Sequence, residues 1–138
     1  MNKISGPLLD RIDLHVETLP VEIDALASRK PGEPSAVIRA RVIAARQRQT
    51  ERFRDEEGVY CNAQMNARQL RRHAWPDERA LDRLKRAMDR NGMSARAFSR
   101  ILRVARTIAD LAGSESVLER HIAEAIGYRT IDRSSWGQ

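Results

Sequence analysis

Cysteine occurs once in the 138 residues, as Cys61. That scarcity excludes a disulfide framework and any cysteine-rich zinc site, and it fits a reducing cytoplasm. Cys61 has no local Cys or His partner and reads as a small buried or half-buried side chain. Histidine is equally sparse, and His15, His73 and His121 include no pair at the i, i+4 spacing of a helical metal site, so no metal ligands are expected. No apolar run approaches the ~20 residues of a membrane-spanning helix. The first residues lack the apolar stretch of a signal peptide, so the chain reads as soluble with no membrane partner. The seven glycines are each isolated, and none precedes Lys-Ser or Lys-Thr. A phosphate-cradling loop is therefore missing, as is an apolar run ending in paired acids that could hold Mg²⁺. The chain alone is not expected to hydrolyse ATP.

Aromatic residues make up 4% of the chain, against 41% hydrophobic and 32% charged residues. Ala, Leu, Ile and Arg dominate, which favours packed helices over a β-sandwich. The length suits one modest domain with one core. The net charge of +6 admits nucleic acid, acidic lipid or nucleotide phosphates as partners. Interleaved Asp and Glu equally admit arginine as a solvated helix former.

Residues 1–34 differ from the rest. Ser5-Gly6-Pro7-Leu8-Leu9-Asp10-Arg11 reads as a helical stub ending in an arginine, more like a domain interior than a natural N-terminus. Ile12, Leu14 and Val16 then alternate with Asp13, His15 and Glu17, the period of a half-buried strand. A lone strand is unstable in water, so this arm is expected to be poorly ordered. Lys30 to Pro34 is a loop by composition.

Helices follow. Ser35 is expected to cap a helix running to Arg54, with Ile38, Val42, Ala45 and Phe53 near one face. After a connector over 59–64, Asn66 and Gln69 have capping-box spacing for a short helix that ends near Ala74 before Trp75-Pro76. Asp77 caps the next, with Leu81, Leu84 and Met88 inward and Asn91-Gly92 as its end signal. Ser94 opens the strongest helix, in which Phe98, Ile101, Leu102, Ala105, Ile108, Ala109 and Ala112 share one arc, so this helix should be central. Gly113 ends it. Ser116 to Glu119 has capping-box spacing for a last helix to about Ile126, and the tail after Asp132 should fray. The expected fold is all-α: about five helices behind an extended or strand-like arm, with an arm and loop over 1–34, a helical domain over 35–130 and a tail over 131–138.

Arg96, Arg100 and Arg103 share the polar face of the central helix. A guanidinium gives two parallel hydrogen bonds to phosphate, and Arg96 lies in the first turn, where free N–H groups also favour an anion. The alternative is three solvated arginines paired with Asp110 and other acids. The first helix, with Arg39 and Arg46, could follow a nucleic-acid backbone, although it has no aromatic for base stacking before Phe53. Residues 66–74 and 77–90 could also mimic a helix-turn-helix. His121 reads as a packed or capping histidine.

Three segments resemble one family: Ser5 to His15, Asn62-Ala63-Gln64-Met65-Asn66-Ala67-Arg68, and Ser94 to Gly113. They are similar to the C-terminal portion of the magnesium-chelatase-like AAA+ ATPases, in the ComM/YifB group, and His121 to Ile126 with Tyr128-Arg129 fits as well. The resemblance implies a helical lid preceded by the last strand of an α/β core. It also implies a ring, expected to be hexameric, that binds ATP and Mg²⁺ between subunits and acts on DNA by branch migration during competence-linked recombination. Partners would then be the upstream core, neighbouring subunits and DNA. Arg11 matches the arginine finger of such ATPases. Arg96 matches the sensor-2 arginine, serving its own subunit or a neighbour's. Arg100 and Arg103 match no established catalytic role and are candidates for further phosphate or interface contacts. The competing reading is a stand-alone basic helical module that binds nucleic acid. A third is an adaptor docking through exposed apolar surface.

Overall fold

Most of the described helices begin where a side chain satisfies a free backbone N–H. The computed structural model describes residues 11–23, 27 and 31–129. Among them are α1 (Ser35–Arg52), a 3-10 turn (Asn62–Gln64), α2 (Ala67–His73), α3 (Glu78–Asn91), α4 (Ala95–Leu111) and α5 (Glu119–Gly127). The described residues contain no strand, only an isolated bridge between Pro76 and Val117, and the fold is all-α. The helical stub before Arg11 and the tail after Asp132 lie outside the described residues.

Asn66 and Gln69 form the expected capping box at α2: Asn66 Oδ1 accepts from the Gln69 N–H at 3.0 Å, and Gln69 Oε1 accepts from the Asn66 N–H at 2.8 Å. Asp77 Oδ1 accepts from the Ala80 N–H at the start of α3, and Ser94 Oγ from the Ala97 N–H at the start of α4. Gly92 ends α3 in the left-handed region at φ 56°, where a side chain would be strained.

Two caps differ from expectation. Pro34 occupies the N-cap of α1, so Ser35 is its first helical residue, and the helix ends at Arg52 rather than Arg54. Leu118, not Ser116, occupies the N-cap of α5. A leucine side chain accepts no hydrogen bond, so buried His121 takes over: its Nδ1 accepts from the Leu118 N–H at 3.1 Å. Capping-box spacing at Ser116 pointed to the turn but missed the residue that closes it.

Helix α4 is central and packs against α1, α2, the 3-10 turn and α5, while α5 also packs on α3. Ile101, Leu102, Ala105 and Ala109 of α4 are buried with Met65, Leu70, Leu84, Val117 and Ile122. On α3 the buried face is Ala80, Leu84 and Ala87, with Leu81 and Met88 only half-buried. Ile38 and Val42 of α1, expected inward, are 42% and 47% exposed. Only Ala45 and Gln49 of that helix are buried, because its N-terminal half extends beyond the end of the bundle.

Candidate functional site

Helix α4 presents its arginines on a rigid base, because its other face is locked into the core. The structure puts them in different environments. Arg96 lies in the first turn, exposed, with no carboxylate partner among the described residues. One turn on, the Arg100 guanidinium donates from Nη1 to the Arg11 carbonyl at 2.7 Å and pairs with Asp13. Two further backbone contacts hold the same arm: Arg129 Nη1 donates to the Ile12 carbonyl at 2.8 Å, and the His15 N–H donates to the Tyr128 carbonyl at 2.8 Å. Residues 11–15 are thus fastened across α4 and the end of α5, with the Arg11 residue exposed. Their connection is through main-chain carbonyls, one N–H and the Asp13 carboxylate, with no strand ladder among the described residues.

Arg103 has a different task. Its Nε and Nη2 both donate to the Met65 carbonyl, at 3.1 and 2.6 Å, and tie the loop before α2 to α4. Arg39 and Arg46 lie exposed on α1 and meet no carboxylate among the described residues, whereas Arg41 pairs with Glu33 at 2.9 Å. Among the described residues no hydrogen bond or ion pair joins Arg39 or Arg46 to the arginines of α4.

Beneath α4 is a polar network that the sequence reading did not anticipate. Asp110, placed there among possible partners of the surface arginines, is buried. It accepts a forked pair of hydrogen bonds from Arg52, at 2.8 and 2.5 Å, and another from Asn62 Nδ2 at 2.8 Å. Arg106, only 2% exposed, contacts the same carboxylate at 3.0 Å and donates to the carbonyls of Ser114 and Glu115. Asn62 completes the set: its Oδ1 accepts from Arg52, its Nδ2 also reaches Thr107, and its N–H donates to Gln49 Oε1. Burial works to raise the Asp110 carboxyl, but the hydrogen bonds from Arg52 and Asn62 and the charges of Arg106 and Arg52 outweigh it and hold the group below its ordinary value. Burial also lowers Arg106, with Asp110 opposing that shift. A signal was available: Arg106 and Asp110 follow buried Leu102 at successive four-residue steps, along the edge of the apolar arc.

Elsewhere the Glu56 carboxylate meets His73 Nε2 at 3.0 Å and Gln69. The hydrogen bond to His73 and then that to Gln69 lower its pKa. Among the described residues no three His, Cys, Asp or Glu side chains converge to hold a metal ion. No described helix is long and apolar enough to cross a membrane.

A family model for "Magnesium chelatase, subunit ChlI C-terminal" matches residues 32–129. The chain is 37% identical over 134 residues to "Competence protein ComM" of Haemophilus influenzae, covering 96% of this chain and 25% of that protein. It is 38% identical over 135 residues to "Uncharacterized protein YifB" of Escherichia coli, covering 96% and 26% respectively. An uncharacterized protein of Mycobacterium tuberculosis is 39% identical over 129 residues, 94% of this chain and 25% of the relative. The chain therefore spans about a quarter of the length of these curated relatives.

Proposed function

From the premise that the chain belongs to the magnesium chelatase subunit ChlI C-terminal family, we infer that it is the helical lid of a ring-forming AAA+ ATPase that acts on DNA. In this reading the upstream core carries the nucleotide-binding loop and the acids that hold Mg²⁺. This chain contributes arginines to ATP bound between subunits of a cytoplasmic, hexameric ring. By itself it is not an ATPase.

The observation that carries the reading is the hydrogen bond from Arg100 to the Arg11 carbonyl, with Arg96 one turn away on the same face of α4. It fastens the segment bearing Arg11 to the helix bearing Arg96, so both cations would move with the lid as one body. Arg11 serves as the finger: its guanidinium reaches the γ-phosphate held by the adjacent subunit and stabilises charge that develops as the phosphoryl group leaves. Arg96 serves as sensor 2. It has no carboxylate to give up among the described residues, so phosphate is its strongest available partner. Bound Mg²⁺ supplies charge neutralisation across the phosphates, and no residue of this chain is needed to hold it. Competence, the word in the name of the Haemophilus influenzae relative, is the proposed setting for this action on DNA.

The test uses the longer protein. Arg11→Ala is expected to retain ATP binding and lose hydrolysis by about 10³-fold or more, the range of fingers in other phosphoryl-transfer systems. Arg96→Ala is expected to weaken nucleotide binding or uncouple it from hydrolysis. Wild-type hydrolysis in the Arg11 variant would remove that residue from the finger role.

Arg39 and Arg46, exposed and meeting no carboxylate among the described residues, favour a second reading, a basic module that binds nucleic acid through α1 without a motor. Salt-dependent DNA binding that maps to α1, in a protein with no ATPase activity, is its signature.

A further inference from the structure

Helices α3 and α5 line an open groove of about 650 Å³, and neither Arg11 nor Arg96 is among its lining residues. Arg79, Arg83, Arg86 and Arg90 of α3 line it in steps of four, three and four residues, so they form one stripe along the helix. All four are exposed. The only carboxylates in the lining are Asp82 and Glu119, which leaves two positive charges in excess. Arg86 pairs with Asp82, and Arg83 meets Glu119 at 3.0 Å. Both pairs are solvent-exposed and contribute little, so an incoming polyanion can displace them. Arg79 and Arg90, at the two ends, meet no carboxylate among the described residues. The floor is made from small and aliphatic groups, Ala87, Ala123 and Ile126, and the lining has no aromatic ring.

We propose that this groove between α3 and α5 is a docking surface for the phosphate backbone of nucleic acid. The stripe runs from Arg79 to Arg90 over about 16 Å of helix, which at ~3.4 Å of axis per phosphate matches roughly five phosphates of one strand. Guanidinium forks recognise phosphate oxygens, and without aromatic side chains there is no platform on which bases could stack. Binding is therefore independent of sequence and steeply salt-dependent. The inference deepens the DNA-acting part of the function proposed above, and it concerns arginines with no role at ATP. Loss of the groove leaves the finger assignment intact, and failure of the finger assignment leaves the groove testable by DNA binding.

The experiment titrates the 138-residue chain into fluorescein-labelled duplex and single-stranded oligonucleotides of mixed sequence, followed by anisotropy across a salt series. The wild-type chain is expected to bind both. Arg79→Gln with Arg90→Gln is expected to raise Kd on the order of tenfold at low salt and to flatten the log Kd against log salt slope by about 1.4–1.8, two phosphate contacts' worth. Arg79→Lys with Arg90→Lys is expected to preserve most of the slope, and circular dichroism shows whether each variant keeps its helices. Arg39→Gln with Arg46→Gln serves as the comparison on α1. The proposal is overturned if the wild-type chain binds no DNA at low salt, or if the α1 pair abolishes binding while the folded α3 pair leaves Kd unchanged.

Discussion

Arg52 and Asp110, 58 residues apart in the chain, face each other as a forked guanidinium–carboxylate pair with bonds of 2.8 and 2.5 Å. The pair joins the end of α1 to the end of α4. Arg106 approaches the same carboxylate from α4 itself, so one buried acid balances two arginines.

Removing the acid should therefore be more damaging than removing either base. Asp110→Ala is expected to destabilise the fold by about 3–5 kcal/mol, because the buried guanidinium of Arg106 loses its counter-charge. Arg52→Ala leaves Asp110 with Arg106 and Asn62 and should cost less. Urea unfolding of the two variants measures the order. A smaller loss for Asp110→Ala than for Arg52→Ala would show that the carboxylate is not the centre of the network.

Stability should fall with acid through two kinds of group. Burial first, then the charges of Arg120 and Arg106, lower His121 below its ordinary 6.5. Above 6.5 the ring is neutral both folded and unfolded. As pH falls below 6.5 the unfolded chain takes up the proton first, and stability declines until pH passes the lower folded value. Glu56 and Asp110 are also lowered, from ordinary values of 4.5 and 3.8. Their contribution is present above those values and is lost as pH falls through the lower folded ones. His121→Gln can still accept from the Leu118 N–H and should remove only the first decline, seen as a flat urea midpoint just below 6.5.

Gly113 follows α4 at φ 69°, and a Cβ built there would lie 3.3 Å from Arg48 Nη2. The arginine tip can shift, so the left-handed backbone is the main obstacle to a side chain. Gly113→Ala is expected to cost about 1–2 kcal/mol. Thermal unfolding checks it, and an unchanged Tm would mean that the turn relaxes to another conformation.

Arg100→Ala should loosen the arm without unfolding the bundle. Its contacts to the Arg11 carbonyl and Asp13 are exposed, while the apolar face of α4 is untouched. Amide exchange at His15, whose N–H donates to the Tyr128 carbonyl, should quicken while the amides of Ile101 and Leu102 stay protected. Equal protection of His15 in both proteins would assign the arm's attachment to Arg129 instead.

The helices were legible because their causes are local. Asn66 with Gln69, Asp77, Ser94, Gly92 and Gly113 act over three or four residues, and the apolar arc of α4 repeats with the helical period. Ile38 and Val42 misled for the opposite reason. Their spacing makes an apolar face, but spacing says nothing about whether another element is there to cover it. The proposed site divides in the same way. Arg96, Arg100 and Arg103 could be placed on one helical face from their numbers, yet their different surroundings could not.

By itself the amino-acid sequence determined that this protein is helical, where most helices begin and end, and which face of α4 is apolar. Tertiary structure alone decided that Arg103 holds Met65, that Arg100 holds the Arg11 segment, that Asp110 is buried between Arg52 and Arg106, and that four α3 arginines line a groove with α5. The physical reason is range. A cap or a periodic stripe is complete within a turn or two, whereas an arginine on a polar face looks the same in sequence whether water, a carbonyl or a carboxylate from a distant segment meets it.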